Sequence, residues 1–156
     1  MRKILLIGFY ILMFSFIFGK EVSTEKVPDF ILSSLKGESV ALSYYTKDKD
    51  VSFLVFFTTW CPWCAKQMEA FEEMAQDTSA NVQFLAIGFD NEAKKVVSKV
   101  KSLGITYPVV IGTSAIAQYF NVSSIPVTVV IDKKGNVIDQ VVGFRDKKYF
   151  INYLAK

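Results

Sequence analysis

The chain has 156 residues, 51% of them hydrophobic, with 18 Lys+Arg against 15 Asp+Glu for a net charge of +3. That suffices for one domain with its own core, and the charge is too small and too evenly mixed to mark a nucleic-acid partner. With 0 His and 2 Cys, the commonest transition-metal ligand and the imidazole base are missing, and no disulfide framework is possible.

Residues 1–19, MRKILLIGFYILMFSFIFG, read as a targeting segment. Arg2 and Lys3 make a charged start, and Ile4 to Phe18 carries no charge. The apolar run is shorter than the roughly 20 residues that span a bilayer comfortably and is close to a secretory core in length. Gly19 offers a small residue for cleavage, although Ile17 matches a small-x-small site poorly. Export is therefore expected, with either removal of the segment or its retention as an anchor. Membrane contact is expected only in the second case. No cysteine follows the run to carry a lipid. The positive-inside tendency puts the domain beyond the membrane, periplasmic or otherwise extracytoplasmic, where disulfides persist.

After a polar linker, 20–26, DFILSSLKGESVALS predicts a β-hairpin turning near Lys36-Gly37, with Phe30, Leu32, Val40 and Leu42 as its apolar positions. Lys47 to Asp50 is a solvated turn. Val51 to Phe57 is apolar on both faces, the pattern of a central strand covered by helices. From Pro62 the period becomes helical, with Cys64, Met68, Phe71 and Met74/Ala75 on one face and Lys66, Glu69, Glu72 and Glu73 mostly between them. Val82 to Phe89 predicts a second buried strand. Glu92 to Gly104 predicts an amphipathic helix with Ala93, Val96, Val97, Val100 and Leu103 inward. YPVVIG is a third strand and SAIAQYFNV a short helix. VTVVID and NVIDQVVGF are strands joined through KKGN, and a closing helix packs Phe150, Ile151 and Leu154. The order implies one α/β sandwich over 27–156, a central mixed β-sheet flanked by helices.

Both cysteines lie in TTWCPWCAKQ, Thr58 to Gln67. Structural zinc takes four N or S donors, so two thiols without histidine are half a site, and only a dimer could pool two pairs. Two inert buried thiols fit poorly at a strand–helix junction in an exported chain. A redox couple uses every feature of the stretch. Phe57 ends the strand, Thr58 to Trp60 form the loop, and Cys61 stands at the helix start. Pro62 takes the first helical position, where a missing N–H costs nothing. Cys61 then faces unpaired backbone N–H groups and the positive end of the helix dipole. That setting can bring a cysteine pKa from about 8.5 into roughly the 3.5–7.5 range. Cys64, one turn on, is within reach to attack a mixed disulfide. Cys61 is thus expected to attack and Cys64 to resolve, with no cofactor and no metal.

FFTTWCPWCAKQM resembles the active-site segment of the thioredoxin superfamily, and SSIPVTVVIDKKGNVI resembles its cis-proline loop and hairpin. The export segment, the N-terminal hairpin extension and an inserted helix and strand (Asn91 to Ile111) are similar to the extracytoplasmic TlpA/ResA-like branch. The resemblance implies a thioredoxin-like sandwich and a thiol–disulfide oxidoreductase acting on protein thiols and disulfides. It implies further a membrane electron donor and, for this branch, reduction in cytochrome c maturation. It makes Pro126 a cis-proline beside the cysteines, with Ile125 offering backbone N–H and C=O groups to an extended substrate. Trp60 is expected to pack beside the motif and shield the sulfurs. Trp63 is expected at the surface, as part of a docking patch or as an unpartnered indole.

Two positions depart from the pattern. Val55 stands where thioredoxins usually carry a buried aspartate, and Gln67 where this branch often has a glutamate. Glu69 points to another face of the helix. Cys64 then lacks a neighbouring acid to take its proton, and slower resolution of mixed disulfides is expected. A peroxide-reducing relative shares the fold, and Thr58 stands three residues before Cys61 as such enzymes require. The proline expected four residues earlier is Leu54. A non-catalytic binding module is the third reading, against which the intact cysteine spacing argues.

Overall fold

The computed structural model describes residues 26–77 and 79–154. The targeting segment and all but the last residue of the linker lie outside the described residues.

Seven strands form one open sheet: β1 (Ile31–Ser34), β2 (Ser39–Ala41), β3 (Val51–Phe57), β4 (Val82–Gly88), β5 (Val109–Ile111), β6 (Val127–Asp132) and β7 (Val137–Val142), in the order β2-β1-β5-β4-β3-β6-β7. Among the described residues five helices accompany them: α1 (Leu42–Thr46), α2 (Pro62–Asp77), α3 (Ala93–Ser102), α4 (Ser114–Tyr119) and α5 (Lys147–Ile151). β3 pairs parallel with β4 and antiparallel with β6, and β4 pairs parallel with β5. The sheet is therefore mixed and the fold thioredoxin-like.

Every residue of β3 is buried, because this central strand is covered on both faces. Its alternation divides the core. Phe53, Val55 and Phe57 join one cluster with Cys61, Cys64, Met68 and Phe71 of the α2 side and with Phe150 of α5. Leu54 and Phe56 join the other, with Leu42 of α1 and Ile116 of α4. The expected hairpin forms, and Gly37 takes a φ of 85° at its turn, a region open to glycine at little steric cost.

Several expectations are corrected. Leu42 opens helix α1 instead of ending a strand. Of the residues expected inward on α3, Val96 is buried and Val100 and Leu103 pack partly buried against the same core, while Ala93 is exposed and Val97 is 42% exposed. The helix lies on the sheet by a narrow stripe, so a broad apolar pattern overstated its contact. Ile151 is likewise exposed, while Phe150 is buried in the core and Leu154 packs partly buried against it. Glu72, read as one of the polar residues between the apolar positions of α2, is buried and accepts hydrogen bonds from the Thr106 N–H (2.7 Å), the Thr106 hydroxyl (2.6 Å) and Gln76 (2.8 Å).

Candidate active site

β3 carries the chain to the C-terminal end of the parallel strands, and the loop after it is held from outside. Asp90, just beyond β4, accepts the Thr59 N–H at 2.8 Å and the Thr59 hydroxyl at 2.6 Å. The Thr58 carbonyl accepts the Cys61 N–H at 3.3 Å, and the Cys61 carbonyl accepts the Ala65 N–H at 3.2 Å. Pro62 opens the helix. Cys61 therefore sits at the N-terminal end of α2, where the first backbone N–H groups have no intrahelical acceptor. One of them is directed at sulfur: the Cys64 N–H lies 3.1 Å from Cys61 Sγ.

Cys61 and Cys64 are joined as a disulfide, with their Cα atoms 5.2 Å apart. Cys61 is 6% exposed and Cys64 0%. The pair is therefore asymmetric, with Cys61 alone touching the surface.

The Ile125–Pro126 peptide bond is cis. Pro126 is buried, its carbonyl accepts the Gly143 N–H at 2.8 Å, and Ile125 packs against the cluster that contains both cysteines. Trp63, Ile125, Pro126, Gly143 and Phe144 line an open groove of about 330 Å³. The Trp63 and Phe144 rings lie 5.9 Å apart, and Lys66 Nζ stands 4.5 Å from the Trp63 ring centre. Trp63 thus has a neighbour and a wall of the groove to form. Trp60 does not follow expectation. It is 74% exposed, and the loop that Asp90 holds turns its side chain out to solvent instead of down over the sulfurs.

At the two positions that depart from the family pattern, Val55 is buried in the apolar cluster and Gln67 is 0% exposed. Gln67 Oε1 accepts the Arg145 N–H at 2.9 Å. Glu69 is exposed, away from the cysteines. Asp90, Thr128 and Phe144 were not singled out from the sequence. Phe144 follows Gly143 at a strand end, a weak signal, and no local signal distinguishes Asp90 or Thr128.

Fold and site together define a thioredoxin-fold thiol–disulfide oxidoreductase. The Redoxin family matches residues 23–153. Thioredoxin-like protein YneN of Bacillus subtilis (strain 168) is 32% identical over 127 residues, 80% of this chain and 74% of that one. Thiol-disulfide oxidoreductase ResA of Bacillus anthracis is 32% identical over 135 residues, 85% of this chain and 76% of that one. A putative thiol:disulfide interchange protein DsbE from Chlorobium tepidum superposes with a TM-score of 0.75 at 26% identity, covering 85% of this chain and 94% of the other. StoA from Bacillus subtilis, at 19% identity and a TM-score of 0.66, shares the fold. The chain belongs to the Redoxin family, and within the thioredoxin superfamily it is ResA-like.

Proposed function

We propose that this enzyme works outside the cytoplasm and reduces disulfides in other proteins. The observation that carries the reading is the asymmetry of the pair. Cys61 lies at a helix N-terminus with an N–H directed at its sulfur, and Cys64 is sealed beneath it. In the reduced enzyme the helix end favours the Cys61 thiolate. That thiolate attacks one sulfur of a substrate disulfide, and the other substrate sulfur leaves with the electron pair. Cys64 then attacks Cys61 Sγ, closing the disulfide and releasing the second substrate thiolate. The groove beside cis-Pro126 supports an extended protein substrate, paired through the Ile125 backbone and packed on Trp63 and Phe144.

Such a cycle leaves Cys61–Cys64 oxidised, so it needs an external dithiol, for which a membrane electron donor is the proposal. The apolar segment Ile4 to Phe18 supports export. Reduction of apocytochrome cysteines before haem attachment is the substrate reading favoured by the similarity to ResA and DsbE proteins.

Cys64→Ala tests the reading. It should leave Cys61 joined to its substrates in mixed disulfides stable enough to isolate from cell envelopes. Apocytochromes among the trapped proteins would support the maturation role, and a broad set of envelope proteins would replace it with general reduction. Absence of any trapped protein, with Cys61 free, would refute the protein-substrate reading.

A further inference from the structure

Among the described residues, three buried side-chain polar atoms have no hydrogen-bond partner: Thr58 Oγ1, Gln67 Nε2 and Thr128 Oγ1. Buried polar groups in natural proteins are nearly always paired, and each exception calls for a physical explanation. All three belong to the cysteine end of the molecule. Thr58 begins the loop before Cys61, Gln67 follows Cys64 by one turn, and Thr128 follows cis-Pro126 by two residues.

Gln67 and Thr128 share the face on which Cys64 is buried. Gln67 stands three residues beyond Cys64 on α2, so the two side chains lie on one side of the helix. Helical side chains lean toward the N-terminus, which brings the Gln67 amide over the turn that carries Cys64. The amide cannot be reversed. Its acceptor end is held by the Arg145 N–H, and that leaves Nε2, with its two protons, facing the buried interior. Thr128 pairs across the sheet with Val55 and Val141. Both of these, with Val130 two residues further along β6, belong to the cluster that contains Cys61 and Cys64. Strand alternation puts the Thr128 hydroxyl on that same face.

In the oxidised enzyme neither Gln67 Nε2 nor Thr128 Oγ1 forms a hydrogen bond to the Cys64 sulfur. Once the disulfide opens, Cys64 must become an anion in a fully buried place. Among the described residues, the acidic, basic and phenolic groups of α2 and the segments packed on it are already bonded or exposed. Val55 is apolar; Glu72 is occupied by Thr106 and Gln76; Tyr107 donates to the Met68 carbonyl; Asp90 is bound to Thr59. Lys66, Glu69 and Glu73 are exposed, Lys147 pairs with Glu73, and the Arg145 guanidinium donates to the Phe144 carbonyl.

We propose that Gln67 Nε2–H and the Thr128 hydroxyl are the donors that receive the Cys64 thiolate, a neutral pair in place of a buried acid. The inference rests on the dithiol–disulfide chemistry and not on the direction of electron flow. In the mixed disulfide, Cys64 gives its proton to water and the two donors hold the resulting thiolate. The thiolate attacks Cys61 Sγ, the Cys61–Cys64 bond forms and the bond to the substrate sulfur breaks. The substrate sulfur leaves with the electron pair and takes a proton from water. Two electrons have passed to the substrate.

The test is rapid mixing of the reduced full chain with an aromatic disulfide (dithiobis-nitrobenzoate) across a range of pH. The first coloured thiolate released reports attack by Cys61, and the second reports resolution by Cys64. Thr128→Val keeps the shape and removes only the hydroxyl; Gln67→Leu removes the amide. Loss of a hydrogen bond to a charged sulfur should raise the midpoint of the second release by about one pH unit in each variant. A more basic thiolate is also more nucleophilic, so resolution should be only about threefold slower below the midpoint and faster above it. The first release should keep its pH profile. Mere structural damage would slow the second release at every pH, and that result, or profiles that superimpose on the unsubstituted protein, would overturn the proposal. Should Gln67→Leu fail to fold, Thr128→Val decides alone. An unsubstituted protein that releases no second thiolate would overturn both this proposal and the dithiol chemistry beneath it.

Discussion

A single backbone proton is aimed at the sulfur of Cys61. The Cys64 N–H at 3.1 Å from Cys61 Sγ exists because Pro62 starts a helix directly after the cysteine, leaving the first turn's donors without acceptors. The neighbouring aromatics divide by direction. Trp60 turns to solvent, whereas Trp63 meets Phe144 and borders the cis-proline groove. If that groove docks extended protein segments, Phe144→Ala should raise KM for a protein disulfide about fivefold and leave kcat unchanged. Phe144 lies outside the cysteine motif, so the rate with a small disulfide should not move. Equal losses with both substrates would show that Phe144 supports the fold and not docking.

At the scale of elements, α2 must keep its N-terminus fixed beyond the end of β3, and it is tied at its entry and again along its length. Asp90 holds the loop that enters it. Farther along, Glu72 fastens it to the segment before β5, while Tyr107 donates to the Met68 carbonyl at 3.1 Å. Burial pushes the Glu72 carboxyl up, but hydrogen bonds from Thr106, from Gln76 and from the Tyr107 backbone outweigh it and hold the pKa below its ordinary value. A carboxyl depressed in the folded state stabilises that state fully above the unfolded pKa, about 4.3 for Glu, and the gain is lost as pH falls toward and through the folded value. Glu72→Gln should therefore cost roughly 1–3 kcal/mol at pH 7. The deficit should shrink steadily as denaturant melts are taken below about pH 4.3. A deficit constant with pH would mean that shape, not charge, holds the junction.

Across the whole molecule, one aromatic cluster joins sheet and helices on the α2 side. Phe53 of β3, 0% exposed, stacks on Phe84 of β4 at 5.3 Å and meets Phe71 of α2 and Phe150 of α5, each at 5.6 Å. The C-terminal segment is fixed again where the Tyr153 and Tyr149 hydroxyls donate to Asp139 of β7. Burial, first, and the bond to Asp139 raise the Tyr153 pKa well above its ordinary value, so this tie persists through neutral pH. Phe53→Ala removes the ring common to β4, α2 and α5 and should cost about 3–5 kcal/mol in a denaturant titration. A cost below about 1 kcal/mol would mean that the site's scaffold does not depend on this cluster.

The amino-acid order alone determined what is local. β3 reads as a strand covered on both faces, the turn at Gly37 is marked, and the C-x-x-C lies between a strand and a helix begun by proline. Each of these follows from period or from one residue's backbone preference, which neighbours in sequence suffice to fix. Burial of polar side chains was not legible in this way. Glu72 reads as one of the polar residues between the apolar positions of α2 because its partner Thr106 is 34 positions away, and the Gln67 acceptor is held from 78 positions away by Arg145. Thr128 is one hydroxyl within an apolar strand until β3 and β7 close on either side of it. Strand order, the outward turn of Trp60 and the groove made by Phe144 were decided by the same long-range closure. Which side chain loses water depends on what the chain brings back over it, and only the tertiary structure specifies that.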